Sequence, residues 1–296
     1  MSRLYHKIAL AGVGLLGGSL GHCFQSLNLA DEVTGYVRRQ CSVEECLRVG
    51  AVTRVTLSVE EAFQDADLVI LCTPVAQMPV LARAMLPFLR PGTLVTDVGS
   101  TKLELVKELE SVFLPTGIRY VGAHPMAGSE KTGPIHAYGD LFRNAICLLT
   151  PTERTDPDAL RRVKELWEKT GCKTIQVTPA EHDQLVCRAS HLPHILATAL
   201  VHHVLGEERS KIQAKVCASG FRDTTRVASG SPEMWRDIVL NNRGPIIREI
   251  EAYIETLQRL KTTLSGETPE EILDVFSRAR ELRNDWLDQR SSGWNS

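Results

Sequence analysis

Short apolar runs alternate with amphipathic segments through the first part of the chain, and after about residue 178 the apolar runs stop. Residues 7–11, 32–37, 67–72, 93–97, 120–123 and 146–149 form short runs, most of them nearly continuous in apolar side chains. That pattern predicts strands covered on both faces. Between them, residues 16–27, 42–49, 59–64, 78–89 and 102–113 carry helical spacing. Strands and helices in this rhythm predict a parallel sheet flanked by helices on both sides. Residues 156–170 and 173–177 add one more helix and strand before Pro179.

Beyond Pro179 the pattern predicts helices over 181–205, 210–222, 232–241, 245–264 and 269–287. Pro193 should kink or divide the first of them. Pro232, Pro245 and Pro269 each suit a first helical position, with Ser231 and Thr268 as caps before two of them. Ile246, Ile247, Ile250, Ile254, Leu257, Leu260 and Leu264 recur at threes and fours, which puts an apolar stripe on one helix face. Such a stripe on a long helix is expected to bury itself against a second copy of the chain. The predicted division is therefore 1–178, carrying the sheet, and 179–296, all helical. The last residues, 291–296, are expected to fray.

Composition narrows the function classes. The 296 residues are 43% hydrophobic and 24% charged, with a net charge of −2, so no strong field toward nucleic acid or an anionic membrane is implied. Eight cysteines form no C-x-x-C pair, and Cys72 and Cys147 sit inside apolar runs. A disulfide framework is not expected, and a reducing cytoplasm fits best. The run from Ile8 to Leu16 after Arg3 and Lys7 has the outline of a signal peptide, but its glycine spacing has a better explanation.

Gly12-x-Gly14-x-x-Gly17 follows the first predicted strand and opens the first predicted helix, with Leu15 and Leu16 between the last two glycines. In that context the glycines permit a tight turn, backbone approach to a pyrophosphate, and close helix–strand packing. The phosphates would sit at the helix amino end. The second strand ends at Val37-Arg38-Arg39, where an acidic residue would bond the ribose 2′-hydroxyl of NAD. Arginine suits a 2′-phosphate, so NADP is favoured and NAD remains possible. The competing reading makes Arg38 and Arg39 solvated loop charges. Thr73 and Pro74 end another strand and should line the nicotinamide side. Ser100 has two compatible readings: the N-cap of the next helix, or a hydroxyl offered to the crevice.

His124 is delivered by the run Tyr120–Ala123 to a strand end, and Pro125 is expected to stop that strand. A histidine there can take a proton at neutral pH. His191 and His194 lie three apart, a spacing that fits a metal site or a core face, but no nearby thiol or carboxylate completes a zinc set. Asp223 and Arg226 read as a local ion pair or as a built anion site.

These motifs occur together and in order: the glycine turn, Asp97-x-x-Ser100-x-Lys102, His124-Pro125-Met126-Ala127-Gly128, Ser190-His191-Leu192-Pro193-His194 and Gly220-Phe221-Arg222-Asp223-Thr224-Thr225-Arg226. Over about residues 5–290 the chain resembles the prephenate and arogenate dehydrogenases of tyrosine biosynthesis. The resemblance implies a Rossmann-type, doubly wound parallel sheet followed by an all-α dimerisation domain. It implies a homodimer, a nicotinamide cofactor and no metal. The implied reaction oxidises a cyclohexadienol at the ring carbon bearing the hydroxyl, with loss of carbon dioxide. His124 would accept the hydroxyl proton, Ser100 would orient both groups, and Arg226, held by Asp223, would bind a substrate carboxylate. His194 would face the substrate, with His191 supporting it or the domain interface. Ser129 and Glu130 would border the side chain, where Glu130 could pair with the ammonium of arogenate, with Lys131 or with water. Trp235 would close the pocket from a partner chain or a neighbouring helix, or serve only as a core aromatic. No segment after the last predicted helix reads as a regulatory module, so a separate tyrosine site is not expected. The rival readings are a β-hydroxyacid dehydrogenase, which would be expected to use a catalytic lysine on the helical domain, although neither Lys211 nor Lys215 sits in such a motif, and a non-catalytic NADP-binding redox sensor.

Overall fold

The computed structural model describes residues 3–129, 131–206, 211–266 and 268–291. The first part alternates β1 (Tyr5–Ala11), α1 (Leu15–Ser26), β2 (Ala30–Tyr36), α2 (Gln40–Val49), β3 (Arg54–Thr56), α3 (Val59–Phe63) and β4 (Leu68–Leu71). It continues with α4 (Met78–Met85), β5 (Leu94–Asp97), α5 (Leu103–Phe113), β6 (Arg119–Pro125), β7 (Ile146–Thr150), α6 (Pro157–Lys169) and β8 (Lys173–Gln176). Helices follow: α7 (Pro179–Val186), α8 (Leu192–Leu205), α9 (Lys211–Val216), α10 (Ser219–Thr225), α11 (Pro232–Asn241), α12 (Arg243–Ser265) and α13 (Pro269–Ser291).

The eight strands form one sheet in the order β3-β2-β1-β4-β5-β6-β7-β8. Its first six follow the dinucleotide-binding order, whose direction of winding reverses between β1 and β4. Alternate strand residues face opposite layers. Ile8, Leu10, Leu68 and Ile70 pack with Leu20, Phe24 and Trp167 on one side. Ala9, Ala11, Val69 and Leu71 pack with Phe63, Met78, Leu109 and Phe113 on the other. Burial on both faces explains why these strands read as unbroken apolar runs.

The sheet departs from the expected all-parallel arrangement at one seam. β7 runs antiparallel to β6, with His124 opposite Leu148 and Pro125 opposite Cys147. A parallel return needs a crossover of a dozen or more residues, usually through a helix. Among the described residues the segment from β6 to β7 has no α-helix; it passes over α1, where the Tyr138 N–H donates to Ser19 Oγ at 3.1 Å, and comes straight back. Pro125 ends β6 from within rather than stopping it a residue early. The Met126 N–H bonds the Ile146 carbonyl at 2.7 Å, so by alternation the Pro125 nitrogen faces the other side. There β5 has already stopped pairing, at Thr96 opposite Val121, and no donor is needed.

Other differences are local. β3 lies at the sheet edge and has only three residues, too short and polar to show as an apolar run. The helix expected over 181–205 is divided by a π-helical turn, Cys187–His191, directly before Pro193. That turn absorbs the proline's missing N–H and ring. The helix expected over 210–222 breaks between α9 and α10, and α12 begins at Arg243, two residues before Pro245. Ser231 caps α11 by accepting from the Met234 N–H at 3.3 Å.

The chain divides into two compact units, Met1–Pro245 and Ile246–Ser296. Helices α7 to α11 belong to the same unit as the sheet, with α7 against α5 and α11 beside the turn after β4. The second unit holds most of α12 and all of α13. In this chain Ile254, Leu257, Leu264, Leu273, Phe276 and Leu282 are exposed along those two helices.

The glycine turn shows distinct constraints. Gly12 has φ +105°, a conformation that side-chain-bearing residues rarely adopt. A Cβ on Gly17 would lie 2.0 Å from the Gly12 carbonyl oxygen, whereas one on Gly14 would meet nothing within 4 Å. Gly17→Ala is therefore expected to lower stability by about 1–3 kcal/mol, as overpacking does. Gly14→Ala should leave the denaturant midpoint nearly unchanged while weakening dinucleotide binding. Equal midpoints for both variants would contradict this assignment of the two glycines.

Candidate active site

The carboxyl ends of β1, β4, β5 and β6 open onto one cleft of about 590 Å³. Gly14, Leu15 and Leu16 line it from the turn after β1, Thr73 and Pro74 from β4, Ser100 from β5 and His124 from β6. Met126 to Ser129 and Lys131 to Gly133 follow from the segment after β6. The opposite wall comes from Ser190, His191 and His194 of the π turn and α8, Arg226 after α10, and Met234, Trp235 and Ile238 of α11. The structure thus brings together residues spread over more than 200 positions of sequence.

At the turn after β1 the amino end of α1 has no acidic residue in its first turn and no side-chain cap. Its main-chain N–H groups are left to attract an anion. The room beside Gly14 and the buried Thr73 hydroxyl, which has no hydrogen-bond partner among the described residues, suit a bound dinucleotide. A second cavity of about 260 Å³ adjoins Thr73 and is lined by Tyr36, Arg38, Val59 and Gln77. Arg38 thus faces a pocket, Val37 is buried in the core, and Arg39 is an exposed residue at the start of α2 that lines neither cavity.

His124 is 9% exposed, and its Nδ1 lies 2.9 Å from His182 Nε2. His182 Nδ1 in turn lies 2.8 Å from Asp183 Oδ1. Asp183 accepts the Lys102 N–H at 2.8 Å and the Leu103 N–H at 2.9 Å, so its carboxylate caps α5 from another helix. This replaces the expected cap by Ser100, since α5 starts at Leu103. Below the cleft, fully buried Lys102 Nζ pairs with Asp97 Oδ1 at 2.7 Å, and the Tyr120 hydroxyl donates to Asp97 Oδ2 at 2.7 Å. His182 and Asp183 were not singled out from the sequence. The available signal was a His-Asp pair in the first turn after Pro179, but nothing local aims it at His124.

The Asn242 amide nitrogen donates to the Asp183 main-chain carbonyl at 2.8 Å, which fixes the amide's orientation, and reaches His191 Nδ1 at 3.0 Å. His191 Nδ1 is therefore an acceptor and its proton sits on Nε2, on the side of the ring that faces the Ser100 main chain. His194 Nδ1 donates to the Ser190 carbonyl at 2.9 Å, and its ring lies on that of Trp235 with centroids 3.8 Å apart. Trp235 therefore belongs to the same chain as the rest of the cleft. Arg226 and Lys131 are the cations of the described lining. Asp223 bonds Arg222 Nε at 3.0 Å, is exposed, and is not part of the lining. Glu130 lies outside the described residues. Of the lysines in the rival reading, Lys215 does not line the cleft, and the side chain of Lys211 is not among those described.

Burial holds the site's histidines neutral. His124 lies well below the usual histidine value, through burial and then the nearby His182, Lys102 and His191. His182 falls to about 2 through burial, Lys102 and His191, and His191 to about 4 through burial against the opposing pull of Asp183. The unfolded chain takes up protons on these rings below about pH 6.5, and the folded protein does not. Stability is therefore expected to fall as pH drops below about 6.5, by up to about 1.4 kcal/mol per pH unit for each such histidine. Denaturant unfolding from pH 7 to 5 measures the slope, and His182→Gln should lower it by one histidine's share.

Fold order, glycine turn and a neutral histidine at the crevice define a dinucleotide-dependent oxidoreductase. Comparison with known proteins narrows the class. Residues 21–176 match the family model described as the prephenate dehydrogenase nucleotide-binding domain, and residues 178–278 that family's dimerization domain. The prephenate dehydrogenase of Bacillus subtilis (strain 168) is 35% identical across 99% of this chain and 79% of its own length. The cyclohexadienyl dehydrogenase of Zymomonas mobilis is 31% identical across 95% of this chain and 96% of its own. A crystal structure of prephenate dehydrogenase from A. aeolicus, in complex with hydroxyphenyl propionate and NAD+, superposes with a TM-score of 0.88 at 31% identity, covering 96% of this chain and 99% of the other. The chain belongs to the prephenate/arogenate dehydrogenase family.

Proposed function

We propose that this protein oxidatively decarboxylates prephenate, arogenate or both, forming 4-hydroxyphenylpyruvate or tyrosine in tyrosine biosynthesis, with His124 as the proton acceptor. The observation that carries the reading is a neutral, buried histidine in one cleft with the glycine turn and Arg226. The nicotinamide of the bound dinucleotide supplies the carbon that accepts the hydride. As hydride leaves the ring carbon, the imidazole takes the hydroxyl proton and the O–H electron pair remains to form a carbonyl. The bond to the ring carboxylate then breaks, carbon dioxide leaves, and its electron pair aromatises the ring. The resulting phenolate recovers the proton from His124, so atoms and charge balance without a metal.

Ser100 orients the substrate hydroxyl, and Arg226 holds the side-chain carboxylate through charge-assisted bonds. His194 and Trp235 form the flat wall against the ring, and Ser129 borders the side chain, as we propose for Glu130. Asp223 acts, on this reading, only through the segment that carries Arg226. Gly12, Gly14, Leu15, Leu16, Gly17, Val37, Thr73 and Pro74 form the cofactor side. NADP is the preferred cofactor, supported by Arg38 on the second cavity, with Arg39 adding charge nearby. Functionally the chain divides at 178/179, and two copies join through the exposed apolar faces of α12 and α13. The cytoplasm is the proposed compartment. Among the described residues no helix is long and apolar enough to cross a membrane.

The decisive assay measures reduced cofactor with each of two substrates against NAD and NADP; no reduction in any pair overturns the reading. His124→Asn should lower kcat by about 100- to 10,000-fold, the span of a lost general base, while cofactor binding persists. Arg38→Ala should weaken NADP binding about tenfold or more and leave NAD nearly unchanged, since a charge-assisted bond contributes roughly 1.5–3 kcal/mol. Equal affinities before and after that change would remove the case for NADP.

A further inference from the structure

We infer that His182 and Asp183 are positioning residues that hold His124 in a single tautomer, with the proton on Nδ1 and a bare Nε2 toward the cleft. The inference rests on the proposed role of His124 and follows from a chain of donors and acceptors. Asp183 sits at the amino end of α5 and receives two main-chain N–H groups, from Lys102 and Leu103. Burial raises the Asp183 carboxyl, but the two main-chain donors, Lys102 and the positive end of a helix oppose that shift and favour an ionised carboxylate near neutral pH, which can only accept. His182 Nδ1, 2.8 Å from Asp183 Oδ1, must then be the protonated nitrogen. A neutral His182 is left with a bare Nε2, which can only accept. His124 Nδ1, 2.9 Å away, must therefore donate. A neutral His124 that donates from Nδ1 carries its lone pair on Nε2, its remaining ring nitrogen, and His124 lines the cleft.

The direction of this chain matters for chemistry. In the opposite tautomer His124 would offer an N–H to the substrate hydroxyl and could not take its proton. Fixing the tautomer in advance removes that unproductive state, and the tilted packing of the two rings, with centroids 5.1 Å apart, restricts rotation. Neither residue lines the cleft; they act through His124. Other groups facing this chain are the Lys102 ammonium, just before α5 and paired with Asp97 of β5, His191 from the π turn, and the Cys147 thiol of β7. None of them supplies an alternative acceptor for His124 Nδ1 among the described hydrogen bonds.

The test uses the full-length protein. Nitrogen-15 imidazole NMR above pH 7, with His124 assigned by the signal lost in His124→Asn, should show a protonated Nδ1 and an unprotonated Nε2. A proton on Nε2 overturns the inference, and so does an even mixture of tautomers. This measurement needs no turnover, so its failure is distinct from absence of dehydrogenase activity in the assay above. His182→Ala should lower kcat about 10- to 100-fold, as loss of an orienting partner does, with KM within about twofold. Its pH profile should move toward the value of an ordinary histidine. His182→Gln, whose amide oxygen can accept from Nδ1, should recover most of kcat. Wild-type kcat and pH profile in His182→Ala would overturn the proposal, and if neither variant folds the NMR result on the native protein still decides it.

Discussion

One buried carboxylate joins the helical segment to the sheet at the place where the chemistry would occur. Asp183 caps α5, receives His182, and through it positions His124 at the end of β6. An N-cap contributes about 1 kcal/mol, and most caps come from the residue just before the helix. Here the cap comes from a different element some 80 positions away in sequence. The same bonds that stabilise the amino end of α5 therefore also fix how α7 sits against it. Loss of that register would move the imidazole as well as the helix.

The ground beneath the cleft is polar, which is unusual for the middle of a parallel sheet. Asp97, Lys102 and Tyr120 are buried together, and each charge has a partner. Such a pair contributes little net stability, because desolvation opposes the attraction, but loss of either member strands the other. Its effect on the site is electrostatic. Lys102 adds to burial in keeping His124 and His182 neutral, and a neutral imidazole is the form that can accept a proton.

Much of the fold is legible in the sequence because burial on both faces of the sheet leaves continuous apolar runs. The departures have identifiable causes. β3 is too short to register, and the divided helix before Pro193 needed a π turn that no local propensity encodes. The reversal of β7 had a trace in the sequence, namely the lack of a helical segment between residues 126 and 145, but the strand–helix rhythm elsewhere favoured a parallel reading. Pro125 was read from its missing N–H alone, whereas the structure shows that its nitrogen faces a side where β5 has already ended.

The sequence by itself determined the glycine turn, the strand that carries His124, and the order of motifs that marks the family. Those features are local, since each depends on residues within a few positions of one another. Only the tertiary structure decided what His124 touches, because a hydrogen-bonded chain across α7, α5 and β6 has no sequence period. It also decided that Trp235 and His194 stack in the same cleft, that Asp223 faces outward to Arg222, and that Ser100 is released from capping. Which side chains become neighbours is set by packing of distant elements, and the chemistry of the cleft depends on that proximity.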